Sequence, residues 1–283
     1  MPLARRIDPL RGNRRATIGR IMISIAERRR LLSVLPGDWR PALSRARIEL
    51  IETGMSDASV FRLGSSHYLK IAQDAAAHDL REEIGRTAWL GQQGVRVAPA
   101  VRVHDAGDFV AVLSEALAGS SADETDLSPE IVVPALALAL SALHAVPVVR
   151  CPFDESIAVR LGRAGTLVDN GKVDPRTFAA RNRDVTPGAL LERLRRAVPS
   201  EDVVVVHGDA TLSNMIVGND LSVGFIDCGH AGRADPCVDL ALVTEGLAER
   251  FGPAMADCFM GAYGRAALNE RKAGYFLDLY ELF

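Results

Sequence analysis

Aromatic residues make up only 5% of the 283 residues, so leucine, valine and alanine must fill most of any core the chain builds. Cysteine is rarer still. Cys151, Cys228, Cys237 and Cys258 form no C-x-x-C spacing, which excludes the common zinc and thiol-redox motifs and fits a reduced, cytoplasmic protein. No apolar run approaches the roughly 20 residues needed to span a bilayer. The most hydrophobic stretch, Ile131 to Val149, is broken by Pro134, Ser141, His144 and Pro147 and reads as a buried helix. An excess of one charge is also missing: a net charge of −3 and a pI of about 6.1 give no global signal for nucleic acid or an anionic membrane. Repeats and low-complexity tracts are absent as well.

Against these absences, 48% of the residues are hydrophobic and 24% are charged, enough for a sizeable core in one large domain or two lobes. Residues 1–21 stand apart, with Arg5, Arg6, Arg11, Arg14, Arg15 and Arg20 against the single acid Asp8. Such a segment reads as a basic N-terminal arm, or as sequence upstream of a true start at Met22, in preference to a transit peptide.

From Ile48 the pattern is β-like. Ile48, Leu50 and Ile51 lead into the small-residue segment GMSDAS (54–59), then VFRL (60–63), the breakers Gly64, Ser65 and Ser66, and YLKIA (68–72). Apolar spacing over 79–92 predicts a helix, and Val97–Val103 and Phe109–Leu113 two further strands. After 114–119 the chain turns helical, over 129–146, 188–197, 238–250, 254–265 and 268–282, with short strands at 203–206 and 223–226. The expected architecture is α+β: a β-rich N-lobe over 22–113, a connector at 114–119 and a mostly helical C-lobe over 120–283.

The chemistry concentrates in VVVVHGDATLSNMIV (203–217) and GFIDCG (224–229). Phosphoryl transfer asks little covalent work of a protein; it needs a hydroxyl positioned for attack and phosphate charge neutralised. Asp209 at a strand end can accept the hydroxyl proton. Asn214, at Asp-x4-Asn spacing, and Asp227, on the next strand end, can ligate Mg²⁺. His207 precedes the tight turn at Gly208 and reads as structural. Lys70 lies in an apolar strand where a lone ammonium is costly. An acid on the following helix is its natural partner, and Glu82 and Glu83 are both placed to serve. Taken alone, GMSDAS is a weak phosphate loop, since Gly54 is its only glycine.

With these residues in view, the chain resembles the aminoglycoside phosphotransferases, most closely the 3'-phosphotransferase branch. The resemblance runs through GMSDASVFRL (54–63), LREEIGRTAWL (80–90), SEALAG (114–119), LHAVPVVRCPFDESIAVRLGRA (143–164), HGDATLSNMIV (207–217), GFIDCGHAGRADPCVDLALV (224–243) and YFLDLYELF (275–283). It implies a bilobal, protein-kinase-like fold with ATP and two Mg²⁺ between the lobes. It implies Asp209 as catalytic base, Asn214 and Asp227 as metal ligands, and Lys70 with Glu83 as the phosphate-positioning pair. Met55 and Ser56 would lie in the nucleotide loop, and Ser114 and Ala116 would meet adenine through backbone groups. Glu249, Glu281 and the carboxylate of Phe283 would bind the amines of the acceptor, an aminoglycoside antibiotic whose phosphorylation confers resistance.

Three departures bear on that acceptor. The segment 173–184, acidic in relatives, carries Arg176, Arg181 and Arg183, with Ala179 and Ala180 where acids are expected. A surface of arginines would repel a polycation. His230 stands where relatives often have arginine, and the terminal motif, usually Asp-Glu-x-Phe, is Tyr280-Glu281-Leu282-Phe283. The rival readings are a kinase of a less cationic hydroxylated metabolite or antibiotic, and a nucleotide-binding pseudokinase. Asp209, Asn214, Asp227 and Lys70 are all present and argue against the second.

Overall fold

An antiparallel sheet is built from β1 (Arg20–Met22), β2 (Ile48–Ile51), β3 (Ser59–Leu63), β4 (His67–Gln73), β5 (Ala100–Asp105) and β6 (Phe109–Glu115), in the order β1-β2-β3-β4-β6-β5. The computed structural model describes residues 20–51, 58–264 and 269–283. The chain thus joins the sheet at Arg20, with Met22 opposite Glu49. Residues 1–19 and most of GMSDAS, including Met55 and Ser56, lie outside the described residues.

One strand is displaced from its expected place. Pro99 has no N–H to give a ladder, so β5 starts at Ala100 and continues to Asp105, with a register shift between Ala100 and Arg102. Val97 instead bridges to Phe225.

Two short helices cover one part of the sheet. Helix α1 (Ile25–Val34) begins in a capping box, where Ser24 Oγ accepts from Glu27 N at 3.2 Å and Glu27 accepts from Ser24 N at 2.7 Å. With α2 (Arg40–Arg45) it buries Leu31, Leu35, Trp39 and Leu43 against Leu63, Leu69 and Leu113. Helix α3 (Ala75–Gln92) packs Ala77 and Leu80 against Val110 and Val112.

The C-terminal part is helical as expected, in α4 (Pro129–His144), α5 (Ile157–Asp169), α6 (Pro187–Arg196), α7 (Cys237–Phe251), α8 (Pro253–Tyr263) and α9 (Glu270–Tyr280). Among them run the three-stranded sheet of β7 (Ser120–Ser121), β9 (Met215–Val217) and β10 (Val223–Phe225), and the pair β8 (Val204–Val206) with β11 (Gly232–Ala234). Helix α4 is buried along one face only. Leu136, Leu140 and Leu143 sit in the main core with Met215, Phe225, Leu240 and Phe259, while Ile131 and Leu138 are 46% and 67% exposed. Full burial of each such side chain is worth about 1.5–3 kcal/mol, so this core dominates the stability of the lobe. No helix among the described residues is long and apolar enough to cross a membrane.

Candidate active site

The buried run of β8 delivers His207, Gly208 and Asp209 to the seam between the two lobes, and the surrounding hydrogen bonds fix that turn. Asp239, wholly buried on α7, accepts from the backbone N–H of His207 (2.7 Å) and of Gly208 (2.7 Å). The Asp209 N–H donates to His207 Nδ1 at 3.2 Å, so that nitrogen is unprotonated and Nε2 carries the hydrogen given to the Ile226 carbonyl at 2.9 Å. His207 is thereby a neutral brace between the two loops, with both ring nitrogens engaged. Gly208 has φ +85°, and a Cβ there would fall 2.0 Å from the His230 carbonyl, so the turn needs glycine.

Asp209 is held at both carboxylate oxygens. Asn214 Nδ2, positioned by the 3₁₀ turn Leu212–Asn214, donates to Oδ2 at 2.9 Å and to the Asp209 carbonyl at 2.9 Å. The Tyr280 hydroxyl donates to Oδ1 at 3.0 Å. Burial pushes the Asp209 carboxyl above the usual aspartate range, and the Tyr280 hydrogen bond pulls the other way.

Asp227 follows β10 with φ 54° and ψ 50°, a left-handed conformation costly for most residues and easiest for Asn and Asp among those with a side chain. This backbone turns its carboxylate toward the N-lobe, where Lys70 Nζ lies 3.1 Å from Asp227 Oδ1 and 2.6 Å from Glu83 Oε2. Burial works against the charged ammonium, but the Asp227 and Glu83 carboxylates outweigh it and raise the Lys70 pKa. Burial likewise opposes the Asp227 carboxylate, and the Lys70 charge holds its pKa below the usual range. Between the two helix acids the structure selects Glu83: Glu82 lies 3.5 Å from Arg86 on the same helix.

Helix α3 is itself locked to the C-lobe. Arg86, one turn beyond Glu83, pairs with the buried Glu155 at 2.7 Å and donates to the Ala231 carbonyl. Glu155 also pairs with Arg163 at 2.7 Å, and Arg160 donates to the Gly208 carbonyl at 3.0 Å. This knot of charges sets where Glu83 and Lys70 stand relative to Asp227 and Asp209.

The connector residues are placed by the sheet. Ser114 is paired with Tyr68 across β4 and β6, and the Ala116 N–H donates to the Ser66 carbonyl at 2.8 Å. A cleft of about 460 Å³ opens there between the β3–β4 hairpin and residues 115–119.

The expected acceptor residues separate. Glu281 is 3% exposed and turned inward, accepting from Ala179 N at 3.3 Å and Asn182 Nδ2 at 3.2 Å. Glu249 is exposed near the end of α7, and Glu245, a turn earlier, lies 3.5 Å from Arg181. The Phe283 ring meets the His230 ring edge-on at 6.1 Å. Of the arginines in 173–184, Arg176 is exposed and paired with Asp174, whereas Arg181 reaches Asp278 at 2.7 Å and Glu281 at 2.9 Å. Glu245, Asp278 and Tyr280 were not among the expected site residues. The helical spacing of Glu245 and Glu249 was the available signal for the first; nothing local marked the others.

The sequence model described as the Phosphotransferase enzyme family matches residues 47–275. An aminoglycoside 3'-phosphotransferase of Escherichia coli is 32% identical over 243 residues, covering 82% of this chain and 89% of the relative. A streptomycin 3''-kinase of Streptomyces griseus is 37% identical over 260 residues, covering 84% and 90%. Among solved structures, an aminoglycoside-3'-phosphotransferase of type VIII superposes with a TM-score of 0.79 at 32% identity, covering 90% of this chain and 97% of the other. A Streptomyces rimosus aminoglycoside phosphotransferase in complex with ADP and streptomycin gives 0.72 at 29% identity, covering 81% and 93%. The chain belongs to the phosphotransferase enzyme family of the aminoglycoside kinases.

Proposed function

We propose that this chain transfers the γ-phosphoryl group of ATP to a hydroxyl of an aminoglycoside, at a 3'-type position. The observation that carries the reading is the convergence of Asp209, Asn214, Asp227 and Lys70 on one seam, with the Asp209 and Asp227 loops tied by His207 to Ile226 at 2.9 Å and Ile226 N to Asn214 O at 3.0 Å. In this reading residues 22–113 carry the nucleotide, 114–119 connect, and 120–283 carry the base and the acceptor.

Asp209 accepts the hydroxyl proton as the acceptor oxygen forms its bond to the γ-phosphorus and the bond to the bridging β–γ oxygen breaks, releasing ADP. Its raised pKa suits it to hold that proton. Lys70, kept charged by Glu83 and Asp227, binds the phosphates. The donor set fits magnesium. Asp227 offers carboxylate oxygens, and Asn214, whose Nδ2 is spent on Asp209, offers an amide oxygen. Two hard oxygens with phosphates and water suit that ion. Bound there, it supplies charge neutralisation on the β- and γ-phosphates.

A coupled ADP-release assay across kanamycin, neomycin and streptomycin tests the reading, with turnover of at least one expected; no turnover of any would refute it. The 37% identity to a streptomycin 3''-kinase favours a second reading, phosphorylation of streptomycin at its 3''-hydroxyl, and the same panel separates the two. Tyr280→Phe tests the contact to the base. Loss of one hydrogen bond, about 1 kcal/mol, predicts kcat roughly three- to tenfold lower with the KM for ATP unchanged. An unchanged kcat would remove Tyr280 from positioning Asp209.

A further inference from the structure

The terminal turn of α9 joins the catalytic base to a carboxylate cluster with an arginine at its centre. Tyr280 touches Asp209, and the next residue, Glu281, belongs with Asp278 and Glu245 to the set of acids around the Arg181 guanidinium, at 2.9, 2.7 and 3.5 Å. Arg181 comes from the 3₁₀ turn Ala180–Asn182. That turn is anchored by the buried Asn182, whose Nδ2 donates to Asp278 at 2.8 Å and Glu281 at 3.2 Å. Arg193 also reaches Asp278, at 3.0 Å. Glu281 Oε1 is buried without a hydrogen-bond partner; its approach to Arg181 is an ion pair without hydrogen-bond alignment. A carboxylate so desolvated requires a cation.

Arg181 is also 40% exposed and attached to a short turn, so its guanidinium borders solvent. Resting on the aminoglycoside reading, we infer that Arg181 is a specificity-determining residue: a tethered cation that fills the carboxylate subsite beside the base and that a cationic group of the acceptor must displace. Arg176, paired with Asp174 on the surface, takes no part, which corrects the view of the arginines in 173–184 as one repelling surface.

The guanidinium meets three separate carboxylates, Asp278 through Nε and Glu245 and Glu281 through its two terminal nitrogens, so guanidinium-bearing acceptors compete for the subsite better than acceptors with amines alone. The cost of displacement falls on acceptor binding and leaves ATP binding untouched.

Arg181→Ala, assayed as the full chain with saturating ATP and either kanamycin or streptomycin, should lower the acceptor KM about three- to tenfold, the scale of a half-exposed ion pair. The KM for ATP should not change, and the advantage should shrink as salt is raised to about 0.5 M. Arg181→Gln, neutral and of similar reach, carries the same expectation should the alanine variant fail to fold. An acceptor KM that stays level or rises in a variant that turns over overturns the inference. A second arm needs no acceptor: methylguanidinium should raise the Tm of Arg181→Ala and leave that of the wild type unchanged. Equal shifts, or none, overturn the inference too. If the wild type phosphorylates no aminoglycoside, the functional reading fails, and the methylguanidinium arm still decides whether the cation subsite exists.

Discussion

Asp209→Asn should lower kcat by about 10²- to 10⁴-fold, the usual contribution of a positioned general base, and leave ATP affinity within about threefold of wild type. The separation follows from geometry. Asp209 is held by Asn214 on one oxygen and Tyr280 on the other, whereas the ammonium assigned to the phosphates, Lys70, is held by Glu83 of its own lobe and by Asp227 across the seam. Asparagine keeps the size of the side chain and can still accept one of those hydrogen bonds, so the turn should survive. Single-turnover kinetics with a saturating acceptor is the measurement, beside nucleotide titration of the same variant. Retention of more than about a tenth of the wild-type rate would mean that the hydroxyl proton leaves by another route.

A second large effect is expected one step behind the base. Asp239 is 0% exposed and accepts from His207 N, Gly208 N and His144 Nε2, and His144 in turn lies 2.7 Å from the Tyr263 hydroxyl. Burial alone would raise the Asp239 pKa. The hydrogen bond and charge of His144 outweigh it, and the carboxyl titrates below the 3.8 of an unperturbed aspartate. A group whose folded pKa is depressed stabilises the fold above its unfolded pKa. That stabilisation is lost as pH falls through the folded value, so the Asp239 contribution is complete above about pH 4–5 and fades below it. Asp239→Asn presents an amide N–H to one of two backbone N–H groups and leaves it unsatisfied. The expected cost is about 3–5 kcal/mol at neutral pH, read as a lower urea midpoint at unchanged slope. The acid limb of the variant's unfolding curve should also flatten below pH 4. Equal stability at pH 7 would show that the HGD turn is held by its other contacts alone.

The division of labour in the fold is visible in particular elements. The helices over 187–196, 237–251 and 253–263 and the strands β2, β3 and β4 follow the apolar periodicity to within a residue or two. Helix α5 was not expected, although Ile157, Leu161, Ala164 and Val168 stand at helical spacing; the run is interrupted by Arg160, Arg163, Gly162 and Gly165, which read as a loop when considered locally. Arg160 is buried in it for a tertiary reason. Arg160 and Arg163 turn toward Glu155, and Arg160 also donates to the Gly208 carbonyl, 48 residues away in sequence. Tyr280 was noticed only as a departure from the Asp-Glu-x-Phe ending, and its hydroxyl proves to be bonded to Asp209.

By itself the sequence determined the reaction class and brought out Asp209, Asn214 and Asp227, which meet at one seam. HGDATLSN and GFIDCG place Asp209, Asn214 and Asp227 at strand ends whose local geometry is dictated within a few residues, by a glycine at positive φ and a 3₁₀ turn. What the tertiary structure alone decided is the charge cluster around Arg181, proposed above as the acceptor subsite. Arg181, Glu245, Asp278 and Glu281 come from a 3₁₀ turn, from α7 and from α9 with its terminal turn, and only the packing of those elements brings their charges within 4 Å. Of the three arginines read along the chain as a repelling surface, Arg176 and Arg183 are exposed, and Arg181 pairs with the buried Glu281 and the partly exposed Asp278 and Glu245. Electrostatic energy depends on distance and burial, neither of which a linear sequence records.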